Sequence, residues 1–243
     1  VDINEGIAIF DREQNQHRGN QFVIYTGDLI ENNLNGGVGH GYDIKIRDPH
    51  VQKEDMSKAL IKISKSLYGE SSFKKVSEKN PSYLAAGVIG NHEYRSRKTS
   101  GQWIQKEIYD SAKILDMGMN GILELTITNK KIGLSRTYKI YVSHSPTNSN
   151  GTSIEGILRA CKKKKADILA DIYVYGHYHR RLIQPDTAYD EHGHFKKVMY
   201  VVNPSPMCYA EYANWAGYSP LSAGWYCNVR LPLHPKFYCW GKV

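Results

Sequence analysis

Apolar positions along the chain alternate between two rhythms, one helical and one extended. Ile3, Ile7 and Phe10 fall at i, i+4 and i+7, one face of a helix. The polar run "DREQNQHRGN" then carries that helix over about residues 3–18 to a stop at Gly19. "QFVIYT" is β-branched and aromatic and reads as a strand ending at Gly27 and Asp28, followed by the loop composition "NNLNGGVGHG". Residues 51–68 place Met56, Leu60, Ile63 and Leu67 on one side of a helix. "YLAAGVI" is a strand running into Gly90, and residues 101–116 form another helix by the same test. "GILELTI" and "TYKIYVS" are strands, the second ending at His144. Ser153 caps a helix over 153–165, and "DIYVYG" is a strand ending at Gly176 and His177. "KKVMYVVN" and "GWYCNVRL" are late strands around "PSPMCYAEYANWAGYSPLSAG", a stretch rich in Pro, Gly and Tyr.

Strands alternate with helices and then follow one another, which predicts an α/β or α+β layered fold. The 243 residues suffice to bury a core without staples, and the absence of a linker or repeat predicts a single domain over 1–243. No run of about 18 apolar residues occurs, so no membrane helix is expected. Cys161, Cys208, Cys227 and Cys239 lack CxxC spacing and read as reduced thiols of a cytoplasmic protein. The net charge of +8 suits an anionic partner, although the tight block Lys162–Lys165 reads as a solvated face late in a helix.

The chemistry gathers where strands stop. "VIYTGD" ends at Asp28, "GVIGNHE" at Asn91 and His92, "IYVSH" at His144, and "IYVYGHYH" at His177 and His179. Ligands of open α/β sheets collect beyond the carboxyl ends of strands, where rigid elements hold side chains from distant parts of the chain. Asp, Asn and His supply oxygen and imidazole nitrogen, a donor set suited to Mn, Fe or Zn rather than calcium. In an extended chain His177 and His179 point to one side, about 6–7 Å apart. In "AAGVIGNHEYRSR" the small residues predict a strand that approaches its neighbours closely, with Gly90 letting the chain turn sharply. A given tetrapeptide such as GNHE arises by chance in a chain this long on the order of once in a thousand.

The ordered set GD, GNHE, H, GHxH resembles the calcineurin-like metallophosphoesterase superfamily over residues 21–202 or so, and the tail "YAEYANWAGYSPLSAGW" is similar to phosphoesterases of phages and prophages. The resemblance implies two mixed β-sheets packed face to face and flanked by helices, a four-layer sandwich, with 204–243 a family-specific extension. It implies a hydrolase of phosphate mono- or diesters that uses two divalent metal ions (Mn, Fe, Zn or mixed, with Mn the assay metal), hydroxide held between the cations being the nucleophile. Asp28 would bridge the metals; Asn91, His144 and His177 would complete one site; His179 would bind the other metal. His92 would face the phosphate as general acid or transition-state stabiliser, and Glu93 would support the site from behind. The motifs leave the substrate open, and the phage-like tail tilts the expectation towards a nucleotide or DNA.

The family's first motif, a strand ending in Asp-x-His, has no counterpart before Asp28, since Asp11 and His17 have the wrong spacing in a helical pattern. With residues 3–18 resembling the helix that follows it, that strand is expected upstream of Val1, and the chain as it stands is expected to be weakly active or inactive. Arg95, Arg97, Arg180 and Arg181 directly follow the motifs; they could grip phosphate or be solvated loop residues, and the sequence leaves both open. His192 and His194 read as a hairpin turn, and nothing fixes a role for His40. The aromatic tail could stack on bases or pack under a loop. The competing reading is a catalytically degraded relative acting as a nucleic-acid-binding or scaffold module.

Overall fold

The computed structural model describes residue 8 and residues 21–31, 48–77, 79–145, 153–165 and 168–204, with 227–229, 231, 233 and 241–242. Apart from residue 8, the helix expected over 3–18 lies outside them, as do the glycine-rich loop with His40, Asp11, His17, Cys208, Cys239 and the aromatic tail. The fold is α/β layered. The chain separates into two compact units, residues 1–119 with 208–219 and residues 120–207 with 220–243.

In the first unit, β1 (Val23–Tyr25), β2 (Ala85–Gly87) and β3 (Leu115–Asp116) form a sheet that is parallel throughout. Parallel neighbours need a crossover, and α1 (Pro49–Tyr68) lies between β1 and β2 in sequence. Asp48 caps α1 by accepting the His50 N–H at 2.8 Å. A four-residue helix, α2 (Glu70–Phe73), follows. Then α3 (Asn91–Ser100) and α4 (Ile104–Ala112) precede β3. Leu60 of α1 and Ile104, Ile108, Tyr109 and Ala112 of α4 share a core with Ile30, Ala85 and Ile114.

The close approach expected of "AAGVIG" is present. Ala85 and Ala86 are fully buried, and a Cβ on Gly87 would run into the Tyr109 ring. The Tyr109 hydroxyl donates to the Val88 carbonyl at 3.0 Å. The helix expected over 101–116 stops earlier, at Ala112, because Lys113 turns left-handed (φ 57°) and the chain re-enters the sheet at Leu115. By contrast, α3 has no apolar period to announce it. Its ends define it: Glu93 in the first turn and left-handed Gly101 (φ 74°), whose N–H donates to Arg97 O at 3.1 Å.

In the second unit, β4 (Asn120–Asn129), β5 (Leu134–Ser143), β6 (Ile172–Tyr175), β7 (Leu182–Tyr189) and β8 (Phe195–Val202) form a mixed sheet in the order β4-β5-β6-β8-β7. β5, β6 and β8 are parallel; β4 and β7 are antiparallel edges. α5 (Ile154–Lys165) links β5 to β6, and Ser153 caps it by accepting the Gly156 N–H at 3.0 Å. Tyr141, Tyr173, Tyr175, Tyr178 and Tyr200 build the core with Ile157 and Cys161. His192 and His194 sit in the β7–β8 turn, where Asp190 Oδ1 accepts both backbone N–H groups. A short pair, β9 (Asn228–Val229) and β10 (Gly241–Lys242), completes the described elements. Cys161 and Cys227 are free thiols, and burial pushes them up to about 12 and about 11. No helix among the described residues is long and apolar enough to cross a membrane.

Lys113 holds a conformation that costs an L-residue about 1–2 kcal/mol, whereas glycine there adds about 0.5–1 kcal/mol of chain entropy to lose on folding. Lys113→Gly is therefore expected to raise stability by about 0.5–1 kcal/mol, read as a higher denaturant midpoint at unchanged slope.

Candidate metal centre at the strand ends

In the first unit, two loops leave neighbouring parallel strands side by side. Tyr25 pairs with Gly87, and the Val88 N–H continues the ladder to Tyr25 O at 3.1 Å. The chain then runs into Gly27-Asp28 on one side and Gly90-Asn91-His92-Glu93 on the other. Gly27 is left-handed (φ 84°), and a side chain on it would collide with the Gly90 backbone. Gly90 itself has an ordinary φ of −87°, so the sharp turn expected of it is not what demands glycine. Room is the reason: a Cβ there would overlap the Asp28 backbone nitrogen and Oδ1.

One buried carboxylate ties the loops. Glu93, 1% exposed, accepts the Asp28 and Gly90 N–H groups on Oε2 at 3.1 and 3.0 Å and the Ile30 N–H on Oε1 at 3.0 Å. It stands at the third position of α3, where a carboxylate also meets the positive end of the helix dipole. In return Asp28 Oδ1 accepts the His92 N–H at 3.0 Å. The His92 ring lies between two carboxylates, Nε2 at 3.8 Å from Asp28 Oδ2 and Nδ1 at 3.6 Å from Glu31 Oε2. Both distances exceed hydrogen-bond length, so these contacts are electrostatic. Burial lifts the Glu31 carboxyl above the usual carboxylate range, against the pull of His92 and Arg95. Sequence reading passed over Glu31; its signal was its place three residues after Asp28 in "GDLIE".

The second unit repeats the device. Ser143 and Tyr175 are partners at the ends of parallel β5 and β6, and the Gly176 N–H donates to His144 O at 3.0 Å. His144 and His177 are thereby neighbours although 33 residues apart: His144 Nε2 and His177 Nδ1 are 3.2 Å apart, with the rings edge to face at 5.1 Å. Two ring nitrogens this close suit a shared proton or a shared cation.

The extended conformation expected for "GHYH" is absent. His177 (φ 66°) and His179 (φ 53°) are both left-handed, and the Tyr178 N–H bonds to Gly176 O at 2.7 Å. The chain coils because Tyr178 between them is buried in the core of the second unit. Asp28 is left-handed as well (φ 53°). Among the described residues, three of the four non-glycine positions with positive φ are thus expected metal ligands; Lys113 is the fourth. Each such residue carries local strain that the surrounding structure must hold in place.

Asp28 in the first unit, and His144 with His177 in the second, are side chains of the His/Asp type that could hold a metal ion. His179 is not among them, and Asn91 opens α3 as its first residue. Compared with known protein families and with curated proteins, the chain matches none.

Glu93→Gln keeps the shape of the clasp but puts an amide NH₂ against at least one backbone N–H. It is expected to lower stability by about 2–4 kcal/mol, since hydrogen bonds to a charged group contribute about 1.5–3 kcal/mol each and an orphaned buried donor about 1–3 kcal/mol. Urea denaturation of the variant measures this.

Proposed function

We propose that the chain is a metal-dependent phosphoesterase that hydrolyses a phosphate mono- or diester. The observation that carries the reading is backbone strain gathered on ligand-type side chains: Asp28, His177 and His179 all hold left-handed conformations at the ends of strands, where a fold selected for stability alone would place glycine or asparagine.

The donor set fits a divalent transition ion. Asp28 offers carboxylate oxygen, His144 and His177 offer imidazole nitrogen, and Asn91 would add an amide oxygen, a mixture suited to Mn, Fe or Zn. For a second cation the residues described here provide only Asp28 and His179, so that site is the weaker of the two. Bound there, divalent cations would bring water towards ionisation at neutral pH and neutralise charge growing on the phosphoryl oxygens.

The chain's own residues do the rest. His92, held over Asp28 by its backbone N–H, would present its ring to the ester oxygen that leaves and hand it a proton. Glu31, 3.6 Å from His92 Nδ1, would orient that ring and, as a carboxylate, stabilise the imidazolium form that can give up a proton to substrate. Glu93 would act at one remove by fixing Asp28 against the helix that carries His92.

Hydrolysis of a bis(nitrophenyl) diester and of the nitrophenyl monoester, with Mn²⁺ and after EDTA, tests the reading. Turnover should require metal, and His92→Ala should lower kcat by about 100-fold or more while leaving Mn²⁺ affinity unchanged. His144→Ala and His177→Ala should each weaken Mn²⁺ binding in equilibrium dialysis by at least about tenfold. An absence of metal-dependent turnover on either ester defeats the proposal; turnover indifferent to His92→Ala removes only the role given to that residue.

A further inference from the structure

The helix that opens with Asn91 and His92 carries a row of cations, Arg95, Arg97 and Lys98, of which Arg95 is felt by the Glu31 carboxyl. Among the described residues Arg95, Arg97 and Lys98 take part in no ion pair, whereas Lys53, Lys65, Lys106 and Lys196 each hold a carboxylate at 2.7–3.1 Å. One guanidinium nitrogen of Arg95, Nη1, is buried and has no hydrogen-bond partner, so its donor capacity is not used within the described residues. His92, Arg95 and Lys98 are spaced by three, along one oblique i±3 row of α3. At 1.5 Å per residue the row covers about 9 Å along the helix, so its two ends address different phosphates of an extended chain.

Aromatic rings adjoin the same cations. The Arg97 guanidinium lies 3.7 Å from the centroid of Trp103 and 5.6 Å from that of Tyr94, and Lys98 Nζ lies 5.1 Å from Tyr94. Trp103 is 39% exposed. Rings and guanidinium planes beside cations are the chemistry that holds single-stranded nucleic acid: bases stack, and phosphates find the positive charge.

We infer that α3 and Trp103 form a track for single-stranded nucleic acid, which would make the substrate a polynucleotide. Arg95 takes the phosphate next to the one at His92, Lys98 takes a further one, and a base stacks on Trp103 and the Arg97 plane. The inference rests on the phosphoesterase reading for the scissile bond, but not for binding.

The test is fluorescence anisotropy of a dye-labelled oligothymidylate with the full chain in EDTA, between 50 and 200 mM salt. Binding should weaken linearly on logarithmic axes. Arg95→Gln and Lys98→Ala should each reduce affinity several-fold and flatten the slope by about 0.7. Trp103→Ala should weaken binding by roughly tenfold, within the range for loss of one stacked base. Lys98 is exposed, so its removal leaves the fold intact and keeps the test valid should Arg95→Gln unfold. The track is overturned if the wild type does not bind at 50 mM salt, if Lys98→Ala and Trp103→Ala both bind like the wild type, or if a base-free polyphosphate or a duplex competes better than the oligonucleotide. Loss of oligonucleotide binding with cleavage of the small diester retained refutes the track alone. Binding without metal-dependent cleavage refutes the phosphoesterase reading alone.

Discussion

The acceptance of three backbone N–H groups by the Glu93 carboxylate is the constraint on which the first unit's chemistry depends. Two of those donors, at Asp28 and Ile30, belong to the loop after β1, and the third belongs to Gly90 after β2. A buried carboxylate without partners would be strongly destabilising; with three donors it becomes a rivet. Through it Asp28 is held in a left-handed conformation it would not choose alone, and its Oδ1 is turned to the first turn of α3. Gly27 and Gly90 are consequences of the same closeness, because neither can carry a Cβ without striking the opposite loop.

The second unit solves the same problem without a carboxylate. In-register parallel pairing brings β5 and β6 to an end side by side, and burial of Tyr178 coils the chain after β6 so that His177 reaches His144. The cost lies in two left-handed histidines. Sequence patterns in both units follow one logic: apolar residues fix where a strand ends, and the residues just beyond inherit their position from that end.

This explains what could be read from the chain alone. Strands and amphipathic helices were legible because their periods are local, and the strand-end residues were legible because polar side chains after an apolar run are conspicuous. α3 was not, since its stability comes from its caps and from Glu93 rather than from an apolar stripe. The early end of α4 was hidden in the φ of Lys113, a residue with no special preference for that conformation. Reading "GHYH" as extended failed because Tyr178, taken as a spacer, is a core residue that dictates the path of its neighbours. Glu31 escaped notice because a carboxylate three residues from another usually signals only solvent, and its burial emerges from the pairing of distant segments.

The pairing of His144 with His177 depends on the register of β5 and β6 and not on the length of the segment that joins the two strands. That segment, α5 and its flanking loops, is therefore a place where length can drift: residues added there lengthen a crossover whose ends stay fixed by the sheet, at an entropic cost that grows only with the logarithm of loop length. A single residue added inside β6 would have the opposite effect, turning every side chain of the strand to the other face and carrying His177 away from its partner. The centre is thus tolerant of large changes in one part of its sequence and intolerant of the smallest change a few residues away.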